Sequence, residues 1–430
     1  MSLRSIKEIA LTPQRNKAMH HFQYKNGELF CENLKIRDIA EQVGTPFYLY
    51  SKKTLIQNYL DFDAAFNEVA HLICYSLKAN PNLSLLKVLV DLGSGADVVS
   101  GGELYKALHA GVAPQKIVFA GVGKTEDEIR YGLSENILMF NVESMAELDK
   151  INEIARSMNK VAPIALRLNP AIDPQTRPYY ATGFEGAKFG ISITSAFDTY
   201  LKAQSLDNIE IMGIHVHIGS QITKIQPFTE SISKVIELYQ KLKMCGINLR
   251  YIDIGGGFGI SYNDEKVPSP KQFANAVIPI LKECNSIVIV EPGRIIVGNA
   301  GILVTKILYV KEVGAKNFIV CDAGMNDLIR PFLYQAFHQI LPVVIKEGKK
   351  IVADVVGPVC ESGDFLGKNR EIIGPMPGDL LAIMTVGAYG FTMSSNYNSR
   401  TRVPELIVDK DKFFVARKRE TYEDLLRGEI

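Results

Sequence analysis

The chain has 430 residues, 22% of them charged, and a formal net charge of +1; this is enough to bury two cores of unequal size, without the charge excess of a nucleic-acid binder or a disordered tail. No apolar run approaches the ~18 residues of a membrane span. The six cysteines form no C-x-x-C pair and the amino terminus has no apolar leader core, so a cytoplasmic protein acting on small molecules is expected, with no nucleic-acid or membrane partner.

In chain order, 20–24 and 28–31 read as short strand pieces, and a repeating unit then runs from about 47 to 300. β-Branched runs at 72–75, 96–99, 117–120, 137–142, 164–168, 211–218, 251–254 and 287–291 predict eight strands. Stretches between them, among them 82–91, 103–110, 125–134, 143–158 and 226–244, carry helical spacing, with Asn82 and Thr125 as start signals and Gly111 and Gly246 as stops. Eight strand-helix units describe an α/β fold, a closed (β/α)8 TIM-type barrel, better than an open Rossmann sheet, which needs only about six strands. Beyond 300, strand-like runs at 302–310, 318–322, 341–345, 351–356, 379–384 and 405–408 are separated by turn residues, with helical periodicity only at 326–338 and in the charged tail 420–428. The expected division is a barrel domain over 47–300 and a β-rich domain built from 1–46 and 301–430, packed together without a linker.

The unusual residues follow strands, where such a barrel carries its chemistry. Lys78, in Tyr75-Ser76-Leu77-Lys78-Ala79-Asn80, ends the first strand, where a desolvated lysine loses its proton more easily and attacks a carbonyl; the alternative is a surface lysine. His215 and His217 form an H-x-H pair on the sixth strand, followed by Ser220. One imidazole stacking on a flat ring and one packing in the barrel is the simpler reading; two zinc ligands beside a carbamylated Lys78, in a metal-dependent barrel hydrolase, is the other. Only seven histidines exist and the other five follow no barrel strand, which leaves few ligands for an ion. Gly255, Gly256 and Gly257 follow the seventh strand and suit either a phosphate grip or a plain turn. Glu291 ends an apolar strand and needs a partner, either a pyridinium nitrogen or a cation such as Arg294 or Lys78.

The segments YSLKAN, HIGSQ, GGGFG and EPGR, together with CESGD and a later AYG, resemble the fold-type III, alanine racemase-like pyridoxal-phosphate decarboxylases, and among them the diaminopimelate-decarboxylating branch. The resemblance runs from Thr45 to Arg400. It implies a barrel plus a β-domain, pyridoxal 5'-phosphate as cofactor, no metal, meso-diaminopimelate as substrate, L-lysine and carbon dioxide as products, and a head-to-tail homodimer with shared active sites.

By the same resemblance Lys78 is the Schiff-base lysine, His217 the ring-stacking histidine, and Glu291 the partner of the pyridine nitrogen. Ser220, the glycine run and Gly293 are implied to hold the phosphate, and Arg294 the phosphate or a substrate carboxylate. Arg330 and Tyr334 are implied to contact the substrate carboxylate. Cys360 is implied to protonate the carbanion, although a lone cysteine also serves as a small buried hydrophobe. Glu361 is implied to bind the substrate's second ammonium group, and Tyr389 to reach phosphate and substrate. Cys360, Glu361 and Tyr389 are expected to complete the site of the partner subunit. Relatives acting on ornithine, arginine or carboxynorspermidine, and a catalytically silent regulator, are the competing outcomes. The Pro- and Gly-containing stretch 173–187 reads as a mobile, lid-like loop.

Overall fold

Eight parallel strands, His71–Ser76, Gly95–Val98, Ile117–Phe119, Met139–Val142, Ala162–Asn169, Ile209–Val216, Tyr251–Asp253 and Ile287–Val290, form one sheet in the computed structural model, which describes residues 20–430. The eighth strand pairs with the first and the fourth with the fifth, so the sheet closes on itself. The start and stop signals hold. The Asn82 side chain caps the helix Leu83–Asp91, Thr125 forms a capping box with Glu128 before Glu126–Glu135, and Gly111 ends Gly101–Ala110 in the left-handed conformation at φ 98°. The two-residue strand Ile191–Ser192, too short for any periodicity, adds to the end of the fifth barrel strand.

Period-two alternation sorts the barrel interior into layers. Cys74, Met139, Ala165, Tyr251 and Ile289 belong to one buried apolar cluster. Two residues further along the same strands lie Ser76, Asn141, Arg167, Asp253 and Glu291, all buried. A polar layer thus sits on an apolar floor at the carboxyl ends of the strands.

The second sheet runs in the order Phe365–Ile373, Lys350–Val356, Lys316–Cys321, Gly301–Val313, Phe47–Ser51, Glu405–Asp409 and Lys412–Arg417, with Leu380–Ile383 also paired to Gly301–Val313 and Ile340–Pro342 paired to it in turn. Phe47–Ser51 pairs antiparallel with Gly301–Val313 and parallel with Glu405–Asp409, so it belongs to this sheet and not to the barrel that the sequence pattern started at 47. Its continuous apolar run suits a central strand of either sheet, and only the pairing partners discriminate. Phe22–Lys25, Glu28–Cys31 and Leu34–Lys35 form a small sheet of their own. Phe22, Leu29 and Cys31 share a core with Phe47, Leu49, Ile302 and Val304, which ties that sheet to the β-domain. Residues 1–19, assigned above to the β-domain, lie outside the described residues.

Helical periodicity at 326–338 gives only the short helix Arg330–Tyr334, with Pro331 in its first turn and Gln335 at φ 48° ending it; the charged tail contributes only Tyr422–Leu425. The strands Phe365–Ile373 and Lys412–Arg417 were not foreseen, because Lys368, Asn369, Arg370 and Glu371 interrupt the first and half of the second is exposed. No described helix is long and apolar enough to cross a membrane.

One buried carboxylate latches the two domains. Glu405 is fully buried and accepts from Tyr50 Oη at 2.8 Å, from Asn82 Nδ2 at 2.9 Å and from Arg417 Nε at 2.7 Å. Removing it strands two buried donors, Tyr50 Oη and Asn82 Nδ2, and leaves the part-exposed Arg417 guanidinium unpaired. Glu405→Ala is expected to cost about 2–4 kcal/mol, the desolvation of two buried donors left without an acceptor, read as a lower denaturation midpoint, with Glu405→Gln losing less because its amide oxygen still accepts.

Candidate active site

Just past the first barrel strand the chain turns through Leu77–Ala79, and the Lys78 ammonium comes 2.8 Å from Asp97 Oδ2, an atom that also accepts from Ser76 Oγ. The Lys78 side chain is 31% exposed and that of Asp97 is sealed, so the amine points out of the polar layer while its counter-ion lies within it. Burial by itself would lower the lysine pKa, but Asp97 and Glu291 outweigh it and hold the ammonium above its ordinary value. The early loss of a proton expected from the sequence is therefore corrected: the neighbouring carboxylates favour the charged form.

Glu291 lies at the centre of the layer. His215 Nε2 is 3.4 Å from its Oε1, His217 Nδ1 is 3.7 Å from its Oε2, and Asn141 Nδ2 lies 3.4 Å from both Glu291 and Asp253. Burial would push Glu291 up, but His215 and the Lys78 charge outweigh it and hold the carboxyl well below the usual range. For Asp253, burial and the Glu291 charge act together and hold the carboxyl well above it. The two carboxyls form one coupled site whose members are pushed in opposite directions, the proton toward Asp253 and the charge toward Glu291. His215, Asp253 and Glu291 bring ligand atoms within 4.8 Å of one another, as an ion would need. All three are sealed, however, whereas a catalytic metal keeps one position open.

The Gly256 N–H donates to His217 Nδ1 at 3.1 Å, so that nitrogen is an acceptor and the ring is neutral. Burial, with help from the Lys78 and Arg167 charges, lowers the His217 pKa to about 4. A Cβ on Gly255 would stand 2.3 Å from Val216 O, on Gly256 2.1 Å from Glu291 O, and on Gly257 2.2 Å from Gly219 O. The glycines are therefore required for this loop to nest between the loops after the sixth and eighth strands, which brings Ser220, His217 and Glu291 together.

Arg294 and Arg330 are both buried, and neither forms an ion pair among the described residues. Arg294, one residue beyond Gly293, donates to Ser220 Oγ at 3.0 Å and to Tyr262 Oη at 2.6 Å, and its Cζ lies 4.7 Å from the Tyr389 ring. Its Nε has no partner. Arg330 lies 3.0 Å from His338 Nε2 and 4.8 Å from the Tyr262 ring. Two buried guanidiniums without acidic partners define sites for anions. Tyr334 packs 5.2 Å from Tyr180. Within 173–187, Thr176 Oγ1 donates to Ser220 O at 3.0 Å and Tyr180 O accepts from Ser220 N at 2.9 Å, so this stretch folds over the site.

Cys360 and Glu361 stand apart. Both are exposed on the loop after Lys350–Val356, where Asn398 Oδ1 accepts from the Cys360 N–H at 2.8 Å and Tyr397 Oη lies 3.4 Å from the Glu361 carboxylate. Tyr389 departs from the expected arrangement. Its N–H donates to Ala79 O at 2.8 Å and its ring faces Arg294, which places it beside the Lys78 of its own chain. Asp97, Tyr180, Tyr262 and His338 were missed from sequence. An acid inside the apolar run Gly95-Ala96-Asp97-Val98 was a usable signal; the two tyrosines and His338 offered none outside their three-dimensional neighbours.

A lysine amine, an ionised carboxylate and a partnerless guanidinium nitrogen fit a ligand that carries an aldehyde, a basic ring nitrogen and a phosphate. A family profile described as pyridoxal-dependent decarboxylase, pyridoxal binding domain, matches residues 52–298. The chain belongs to this family. It is 50% identical over 411 residues to the diaminopimelate decarboxylase of Aquifex aeolicus (strain VF5), an alignment covering 95% of this chain and 97% of that one. The crystal structure of diaminopimelate decarboxylase from Helicobacter pylori complexed with L-lysine superposes with a TM-score of 0.88 at 44% identity, covering 91% of this chain and 98% of that one. The enzyme from M. jannaschii in co-complex with L-lysine gives 0.91 at 39% identity, covering 95% and 97%.

A pH measurement checks the neutral His217. Its pKa falls from 6.5 in the unfolded chain to about 4 in the fold, so in that window the unfolded state binds a proton that the native state refuses, and stability drops as pH falls. Glu103 and Asp327, both raised to about 7 by burial, act in the opposite sense. The comparison is therefore made between variants: on acidification through the window, wild type is expected to lose up to about 1.4 kcal/mol per pH unit more than His217→Gln, measured by denaturant titration of the cofactor-free protein.

Proposed function

We propose that this protein decarboxylates meso-2,6-diaminopimelate to L-lysine and carbon dioxide, with pyridoxal 5'-phosphate held on Lys78. The observation that carries this reading is the pair of buried, acid-free guanidiniums beside a lysine and an ionised glutamate, in a chain similar over nearly its whole length to diaminopimelate decarboxylases. Arg294 is assigned to the cofactor phosphate, because its guanidinium is already bonded to Ser220 and retains a free Nε–H; Gly255, Gly256, Gly257 and Gly293 shape the same end. His217 is assigned to the ring face and Glu291 to the ring nitrogen, where an ionised carboxylate keeps that nitrogen protonated. When bound, the cofactor supplies the electron sink for the pair released as carbon dioxide departs.

The remaining steps belong to the chain's own groups. Asp97 anchors the Lys78 ammonium, and Tyr389 closes the cavity over Ala79 and Arg294. Arg330 and Tyr334 hold the distal carboxylate of the substrate, while Glu361 takes the distal ammonium. Cys360 supplies the proton that replaces the lost carboxyl group. Cys360 and Glu361 act in trans, in a homodimer whose β-domain face completes each site; their exposure and their separation from the Lys78 cluster support this assignment. The barrel of 52–298 carries the cofactor, and the sheet built on Gly301–Val313 carries the dimer contacts. Six unpaired cysteines suit a reducing cytosol.

A substrate panel of diaminopimelate, ornithine, arginine and lysine tests the reading through carbon dioxide release: only diaminopimelate is expected to turn over efficiently, and equal or better turnover of ornithine refutes it. Lys78→Ala is expected to abolish both turnover and the visible absorbance of bound cofactor. Glu361→Gln is expected to raise KM for diaminopimelate by ~10-fold, the loss of one charge-assisted hydrogen bond, and to narrow its preference over ornithine.

A further inference from the structure

We propose that His338 is a positioning residue for recognition of the substrate carboxylate, acting as an uncharged acceptor that aims the Arg330 guanidinium without neutralising it. This rests on the reading of Arg330 given above. His338 lies between the short helix Arg330–Tyr334 and the strand Ile340–Pro342, and it is fully buried. Its Nδ1 stands 2.9 Å from Met384 O, and its Nε2 stands 3.0 Å from an Arg330 Nη1. A carbonyl only accepts and a guanidinium only donates. The proton is therefore on Nδ1 and the lone pair on Nε2, which defines a neutral ring of one tautomer.

The choice of residue has a physical reason. A carboxylate at 338 would hold Arg330 equally well but would cancel its charge and compete with the incoming substrate. An imidazole takes one N–H and leaves the charge available. Arg330 is 2% exposed and has no acidic partner among the described residues, so that charge is answered only by a bound anion. Tyr262 extends the arrangement: its ring meets His338 edge-on at 5.3 Å and faces Arg330 at 4.8 Å, and its hydroxyl accepts from Arg294 at 2.6 Å. A chain of contacts thus runs from Met384 through His338, Arg330, Tyr262 and Arg294 to Ser220, fixing the separation between the two anion sites. The groups facing His338 are the Arg330, Arg294 and Arg370 guanidiniums, the Tyr262 ring and the Met384 carbonyl; burial and these cations keep its pKa well below the ordinary value.

The test separates the two ring nitrogens. In His338→Asn the amide reproduces the Nδ1 donor and loses the distal acceptor; in His338→Gln an acceptor is restored near the Nε2 position. For the cofactor-loaded enzyme acting on diaminopimelate, His338→Asn is expected to raise KM by ~10- to 100-fold with kcat within about threefold, and His338→Gln to return KM to within about threefold of wild type. The proposal is overturned if His338→Asn leaves KM unchanged, or if the two folded variants show the same KM. Arg330→Gln serves as the control. If Arg330→Gln raises KM and His338→Asn does not, positioning by His338 fails alone; if Arg330→Gln leaves KM unchanged, the assignment of Arg330 fails and takes the proposal with it.

Discussion

Glu291 keeps an ionised carboxylate at 2% exposure inside a closed parallel barrel, and the polar layer around it answers to that one charge. Desolvation opposes an isolated ion in such a place by several kcal/mol. The charge is favoured because His215, Asn141 and the Lys78 ammonium surround it, and because the coupled Asp253 carboxyl is pushed the other way, toward its protonated form. Barrel closure makes this possible. Only when the eighth strand pairs with the first do Lys78 and Glu291 come to the same end of the barrel.

The β-domain does more than cover the barrel. It grips the loop that carries Lys78 at three successive points: Tyr389 N–H on Ala79 O, Gly387 O on the Asn80 side chain, and Glu405 on the Asn82 side chain. It also delivers Arg330, His338 and Tyr389 to the cavity. The guanidinium-lined end is therefore assembled from both domains, with Arg294 and Tyr262 from the barrel side and Arg330 and His338 from the other. Domains so tightly joined at the Lys78 loop are expected to hold one fixed geometry there, which is what positioning catalysis demands.

Much of this was legible in the chain. The eight strands were readable because parallel barrel strands are buried on both faces and leave apolar runs, and the helix limits because Asn82, Thr125 and Gly111 carry explicit capping chemistry. Lys78, His217, Ser220, Glu291 and Arg294 stood out because each is a polar residue at the carboxyl end of an apolar run. Asp97 escaped notice although it obeys the same rule, since it lies inside its strand. Phe47–Ser51 was misassigned because an apolar five-residue run does not reveal its neighbours. The helix expected over 326–338 shrank to five residues, opening with Pro331 in its first turn and ending at Gln335, which turns left-handed at φ 48°.

The sequence by itself determined the architecture and the kinds of chemical group available, because strand period, capping and strand-end polarity act over a few residues. Only the tertiary structure decided which of two carboxyls the surroundings favour as the charged one, which acid pairs with Lys78, which histidine stands against Arg330, and that Tyr389 packs on Ala79 and Arg294 of its own chain. Those outcomes depend on desolvation and on distances between groups far apart in the chain, such as Tyr262 and His338 or Lys78 and Glu291. Neither quantity exists until the barrel has closed and the β-domain has packed against it.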